Sequence, residues 1–312
     1  MSMRWNGWWR WIATTSVVAA LAGCGGGGDD DPTVVQVAQG DPQFSILAEA
    51  VVAADLATTL SGPGPFTVFA PTNDAFAALL TELGVTKAQL LADKALLRTV
   101  LQYHVLGSAV PKASVPLGKA ITPLQGGIFK VDLTGTNLTV TDGRNRLARI
   151  TATDVKASNG VVHVLDKVLL PANRTVVATA QSLPDFSILV EAVVAAGLVD
   201  TLNGTGPFTV FAPTNAAFSK LLTELGVTKA QLLANKPLLT QVLTYHVLPS
   251  RVLKADVPVG SPITTVQGGT FTVDAALAIT DGRGRKAAIT ATDVLTSNGV
   301  IHVLDTVILP RP

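Results

Sequence analysis

The chain has 312 residues, 48% of them hydrophobic and only 14% charged, with a net charge of +1. This is a globular composition, long enough for one large domain or two ordinary ones, and it excludes a disordered polyelectrolyte. No basic field is present to hold nucleic acid by counterion release, and the single cysteine, Cys24, excludes an internal disulfide.

The first segment reads as an address. Arg4 and Arg10 accompany an apolar stretch running to Leu21, shorter than the roughly 20 apolar residues that a membrane-spanning helix needs. It closes on Leu21-Ala22-Gly23-Cys24, similar to the bacterial lipobox, in which the cysteine becomes the lipidated first residue of the mature protein. Residues 1–24 are therefore expected to be a lipoprotein signal peptide, with Cys24 the lipidation site and attachment to the membrane through that lipid. Arg4 and Arg10 leave with the signal, so the mature chain turns slightly acidic. Gly25 in place of Asp after the cysteine favours the outer membrane or cell surface in a cell with two membranes. Residues 25–32, with Gly25 to Gly28 and Asp29 to Asp31, form a flexible tether because glycine is conformationally free and aspartates repel.

Beyond the tether, Phe44, Leu47, Ala48, Val51, Val52 and Leu56 recur at intervals of three and four, which predicts one amphipathic helix. Gly62-Pro63-Gly64-Pro65 stops it. Phe66 to Phe69 is β-rich and reads as a short buried strand. Thr72 is placed to cap the next helix, with Asp74 in its first turn, where the helix dipole favours an anion. Phe76, Leu79, Leu80 and Leu83 form its inner face. A further helix carries Leu96, Leu97, Val100 and Leu101 into Tyr103-His104. The period then changes to two: Phe129, Val131 and Leu133, then Leu138 and Val140, alternate as half-buried strands do. Asp142-Gly143 and Asn159-Gly160 mark tight turns. Residues 161–170, almost all β-branched or leucine, read as a central strand. Helices first and strands afterwards predict an α+β class.

The whole pattern occurs twice. Phe66-Thr67-Val68-Phe69-Ala70-Pro71-Thr72-Asn73 returns as Phe208-Thr209-Val210-Phe211-Ala212-Pro213-Thr214-Asn215, and Tyr103-His104 returns as Tyr245-His246. Thr141-Asp142-Gly143-Arg144 returns as Thr280-Asp281-Gly282-Arg283, and Ser158-Asn159-Gly160-Val161 as Ser297-Asn298-Gly299-Val300. The expected units are 33–171 and 175–312, joined by the linker 172–174, which is short enough to restrict their relative motion and let them touch.

These blocks resemble the fasciclin (FAS1) family. Its first block is similar to Thr67 through Phe76 and Thr209 through Phe218, its Tyr-His pair to Tyr103-His104 and Tyr245-His246, and its closing block to Asn159 through Asp166 and Asn298 through Asp305. The resemblance covers the chain after residue 32. It implies two tandem α+β domains, each a β-sheet wedge flanked by helices, and an adhesion or surface-recognition role. In animal relatives the Tyr-His segment is tied to integrin contact, so Tyr103, His104, Tyr245 and His246 are the candidate binding residues.

The residues themselves also permit a plainer reading. All four histidines, His104, His163, His246 and His302, fall inside these blocks, two per unit with no cysteine beside them, and neither pair has metal-ligand spacing. An imidazole that locks strand to helix through backbone hydrogen bonds accounts for them, and a buried tyrosine with an internally bonded hydroxyl accounts for Tyr103 and Tyr245. Asp166 and Asp305 lie three residues past a histidine, on the opposite strand face; Asp154 and Asp293 are alternatives, but no activated serine accompanies either. Neither a nucleophile elbow nor a phosphate loop is present in the sequence. We therefore expect no catalysis, no cofactor and no metal. The expected function is a lipid-anchored recognition protein in the cell envelope, binding an extracellular protein or polysaccharide. The alternative is an envelope carrier of a small apolar ligand, a pigment or lipid, which the scarcity of aromatics disfavours.

Overall fold

The structure is a computed structural model and describes residues 31–312. The expected signal peptide, Cys24 and nearly all of the expected tether lie outside them. Residues 31–312 form one compact unit made of two copies of one α+β architecture. No described helix is long and apolar enough to cross a membrane.

In the first copy the helices are α1 (Val34–Gly40), α2 (Ser45–Ala53), α3 (Ala57–Ser61), α4 (Asn73–Leu83), α5 (Lys87–Ala92) and α6 (Lys94–Tyr103). The strands are β1 (Phe66–Pro71), β2 (Val105–Leu106), β3 (Ala120–Ile121), β4 (Phe129–Thr134), β5 (Asn137–Thr141), β6 (Leu147–Ala157) and β7 (Gly160–Leu165). They form a seven-stranded sheet in the order β2-β1-β7-β6-β5-β4-β3, in which β1 and β7 run parallel. Strand β6 bends this sheet: Leu147 to Arg149 pair with β5, whereas Ile150 to Ala157 pair with β7 across two register shifts. A bulge turns a strand in this way. Two apolar cores result. One lies between the helices and β1/β7, around Leu47, Phe76 and Leu97; the other lies inside the curl, where Phe69, Tyr103 and Phe129 meet edge to face.

The second copy repeats the plan with α7 (Val176–Gln181), α8 (Ser187–Ala196), α9 (Val199–Leu202), α10 (Asn215–Leu225), α11 (Lys229–Ala234) and α12 (Lys236–Tyr245). Its strands are β8 (Phe208–Pro213), β9 (Val247–Leu248), β10 (Ile263–Thr264), β11 (Thr270–Val273), β12 (Ala278–Thr280), β13 (Lys286–Thr296) and β14 (Gly299–Leu304). Their order is β10-β11-β12-β13-β14-β8-β9, the same sheet again.

Local chemistry explains most of these elements. Thr72 caps α4 by accepting the Ala75 N–H, and Thr86 and Gln89 form a reciprocal capping box on α5. Gly84 ends α4 in the left-handed conformation that glycine adopts without strain. Two elements differ from the sequence reading. The expected single helix over Phe44 to Leu56 is a 3₁₀ turn at Pro42–Phe44, then α2, then a break at Asp55 (φ 57°) before α3. Gly197 stands at the same break in the second copy. The expected strand over 161–170 ends at Leu165. Val168, Leu169 and Leu170 are buried, but they satisfy their backbone through side chains of other segments.

Candidate functional site

The Tyr-His pairs sit at the C-terminal end of α6 and α12 and point inward. Tyr103, His104, Tyr245 and His246 are all buried, at 0 to 2% exposure. His104 donates from Nδ1 to the Val100 carbonyl (2.7 Å) and accepts the Leu169 N–H at Nε2 (2.8 Å). His246 does the same with Val242 and Ile308. A carbonyl can only accept and an N–H can only donate, so both rings are fixed as the neutral Nδ1–H tautomer. Burial pushes both pKa values down to about 4, beyond what the carbonyl bonds restore. The Tyr103 hydroxyl donates to the Ile128 carbonyl and that of Tyr245 to the Thr270 carbonyl, and burial raises both phenol pKa values.

The closing histidines work with the other tautomer. His163 donates from Nε2 to the Val110 carbonyl and accepts the Asp154 N–H at Nδ1; His302 does so with Val252 and Asp293. Asp166 and Asp305 instead accept the N–H groups of Arg149 and Ala288. Each imidazole therefore has both nitrogens engaged by backbone. The candidate binding residues Tyr103, His104, Tyr245 and His246 thus lie inside the domains, with almost no side-chain surface exposed. Among the described residues no group of three or more His, Cys, Asp or Glu side chains is close enough to hold a metal ion.

Turn residues that looked like punctuation organise the fold. Asp142 is 1% exposed: Oδ1 accepts the Arg144 and Arg146 N–H groups, while Oδ2 accepts the Leu170 N–H and pairs with the Arg146 guanidinium (2.8 Å). Asn159 accepts the Val34 N–H and donates to the Leu60 and Gly62 carbonyls; Asn298 repeats this with Val176, Leu202 and Gly204.

What remains for recognition is the surface, and its most developed feature is the joint between the copies. Ile128 of the first copy packs with Leu253, Leu295 and Val300 of the second. Asn145 donates to the Leu295 carbonyl (3.0 Å) and accepts the Leu295 N–H (2.7 Å), so its amide stands in for a neighbouring strand on the outer edge of β13. Lys130 bridges Asp293 and Asp132, each at 3.0 Å. Burial opposes the charge on Lys130, but the two carboxylates more than offset it and hold its pKa above the usual value. Lys119 and Asp256 pair at 3.6 Å on the rim.

Beside this joint lies an open groove lined by both copies and the linker, including Glu82, Arg144, Arg146, Asn173, Arg174 and Ser182. The sequence reading expected the copies to touch but named neither the residues of the joint nor the groove. One signal could have found them: the copies differ at the joint, with Thr270, Thr272, Gly284 and Lys156 standing where the other copy has Ile128, Lys130, Asn145 and Leu295.

Comparison with known proteins fits this architecture. The family model for the fasciclin domain matches residues 42–171 and again 184–310. The chain is 31% identical over 252 residues to pig (Sus scrofa) transforming growth factor-beta-induced protein ig-h3, which covers 80% of this chain and 35% of the relative. It thus spans about a third of that relative's length. It is 45% identical over 144 residues to protein sll1483 of Synechocystis, covering 45% of this chain and 73% of that one. Among solved structures, a FAS1 domain pair from the insect cell adhesion molecule fasciclin I covers 88% of this chain and 95% of its own, at 20% identity and a TM-score of 0.44.

Proposed function

Because the chain belongs to the fasciclin domain family, we propose that it is a lipid-anchored adhesion or recognition protein of the cell envelope. Cys24 carries the lipid, residues 25–32 hold the body clear of the membrane, and the two domains bind an extracellular protein or polysaccharide. One observation carries this reading: the tyrosines and histidines that resemble the family's motif are committed to backbone inside each domain, which leaves the outer surfaces and the groove at the joint as what the molecule offers. The carrier alternative fits less well. The apolar crevices under α1 and α7, next to His104 and His246, are narrow, with room for a few water molecules and not for a pigment or lipid chain.

Beads coated with residues 31–312 test the recognition claim. Adhesion to cells or extracellular matrix above that of beads bearing an unrelated exported protein supports it. Equal adhesion, or an organic extract of the purified fragment that contains a stoichiometric pigment or lipid, overturns it. The anchor has its own test: Cys24→Ser should move the protein from the membrane fraction to the soluble fraction, and unchanged partitioning would refute lipidation.

A further inference from the structure

The groove at the joint contains two arginines whose surroundings differ from those of every other paired cation nearby. Arg146 is held by Asp142 (2.8 Å), Glu82 (2.7 Å) and the Val168 carbonyl, so its charge is neutralised within the first domain. Arg144 and Arg174 have no carboxylate within 4.0 Å among the described residues. Their backbones are nonetheless fixed. The Arg144 N–H is held by Asp142 Oδ1 (2.9 Å), and the Arg174 carbonyl accepts the Ser297 N–H (2.8 Å).

A second observation concerns the Arg144 side chain. Its Nε is buried and has no hydrogen-bond partner. The matching residue of the second copy, Arg283, donates its Nε to the Pro310 carbonyl (3.1 Å). One guanidinium is thus satisfied internally, while its counterpart beside the joint presents an unanswered donor. A buried donor without an acceptor costs about 1–3 kcal/mol, and without the internal bond that holds Arg283 the Arg144 guanidinium is free to turn toward an anion in the groove.

Around the two arginines the lining is mixed: the amide of Asn173, the hydroxyls of Ser182 and Thr179, apolar Leu183 and Leu295, and the Glu82 carboxylate, which Arg146 neutralises. No aromatic ring lines the groove, so stacking on a neutral sugar is not available. The groove, about 580 Å³, takes more than one sugar ring. Fixed backbones, unpaired guanidinium groups and the amide and hydroxyls beside them suit a chain of sugars that carries carboxylates at intervals.

We propose that this groove binds an acidic polysaccharide, with Arg144 and Arg174 each taking a carboxylate, Asn173 available to sugar hydroxyls, and the Ser182 hydroxyl, whose proton goes to the Thr179 carbonyl, able to accept from one. Both domains and the linker build the site, so a single domain does not contain it. The proposal rests on the recognition role argued above and names its partner class.

The test uses residues 31–312 and four probes: polygalacturonate, neutral dextran of equal length, polyglutamate and sodium sulfate. Calorimetry should show polygalacturonate binding that weakens as salt rises. R144A/R174A should weaken it at least tenfold, and Arg283→Ala in the matching position should leave it unchanged. Arg174 is exposed, so Arg174→Glu is measured as well and should abolish binding in a chain whose melting curve matches the parent. Equal binding of dextran, tighter binding of polyglutamate, saturation by sulfate at the same midpoint, or insensitivity to R174E would each overturn the proposal. If coated beads adhere to cells while polygalacturonate fails to bind, the polysaccharide assignment falls and the recognition role stands.

Discussion

The outer edge of β13 in the second domain and the outer edge of β6 in the first are the same piece of structure in two circumstances. Both strands bend at register shifts, both carry an aspartate at φ near 60° that accepts the N–H of a lysine, and both set the residue two positions further on, Lys156 or Leu295, opposite a valine of the next strand. On β13 this edge is covered: Asp293, Leu295 and Thr296 are buried beneath the first domain. On β6 it is open, with Asp154, Val155 and Lys156 exposed. The chemistry follows the exposure. Leu295 meets Ile128, whereas Lys156 occupies the uncovered position, and a lysine on an open edge discourages strand pairing. At the far end of the second domain, Thr270, Thr272 and Gly284 stand where Ile128, Lys130 and Asn145 make the joint. The two copies kept their interiors and diverged where one face is covered and its counterpart is not.

This comparison can be broken at several points. The largest expected effect concerns what the copies share. His104 and His246 have folded pKa values of about 4 against about 6.5 in an unfolded chain. Between those values the unfolded chain binds more protons, so stability is complete above pH 6.5 and is lost as pH falls to 4. The loss is about 3 kcal/mol for each histidine. Denaturant melts at pH 7 and pH 4.5 should show both domains weakened alike; a drop confined to one domain would contradict the shared lock.

Next comes Leu295→Lys, which places the open-edge residue on the covered edge. It should cost about 3 kcal/mol through lost packing and a buried charge and should separate unfolding into two transitions, whereas Lys156→Leu should change stability by under about 0.5 kcal/mol. Similar effects of the two would show that the joint contributes nothing. Asp293→Asn keeps the left-handed backbone and the Lys254 contact but removes the charge facing Lys130. It should cost about 1–2 kcal/mol, against about zero for Asp154→Asn. Asn145→Gly is the smallest. Its φ of 62° suits glycine, which offsets part of the two lost hydrogen bonds, so a net loss near 1 kcal/mol is expected by urea titration.

The sequence carried the class, the repeat and the helix starts because these follow from local chemistry: Thr72 as a cap, the alternation in β4 and β5, glycine at helix ends. Three things were less legible. The strand ending at Leu165 looked longer because Val168 to Leu170 are as apolar as a strand, yet their backbone is satisfied by Asp142 and His104 reaching across the chain and not by a neighbouring strand. Strand β6, the longest of its sheet, was hidden because its edge faces solvent and its residues are polar. The joint was invisible to periodicity altogether, since it depends on four positions scattered through the sequence. Of the Tyr-His motif the position was readable and the burial was weighed as the structural alternative, but the hydrogen-bond partners, Val100 and Leu169, required the fold.

One detail of chain entry has a mechanical meaning. Ser297 N–H fastens the incoming chain at Arg174 in the second domain, and Ser158 N–H fastens it at Pro32 in the first. Pro32 is therefore tied to the turn between β6 and β7 of the first domain. Eight residues from 25 to 32 extend at most about 28 Å. If Cys24 carries the lipid proposed above, that length sets the farthest that Pro32 can stand from the bilayer.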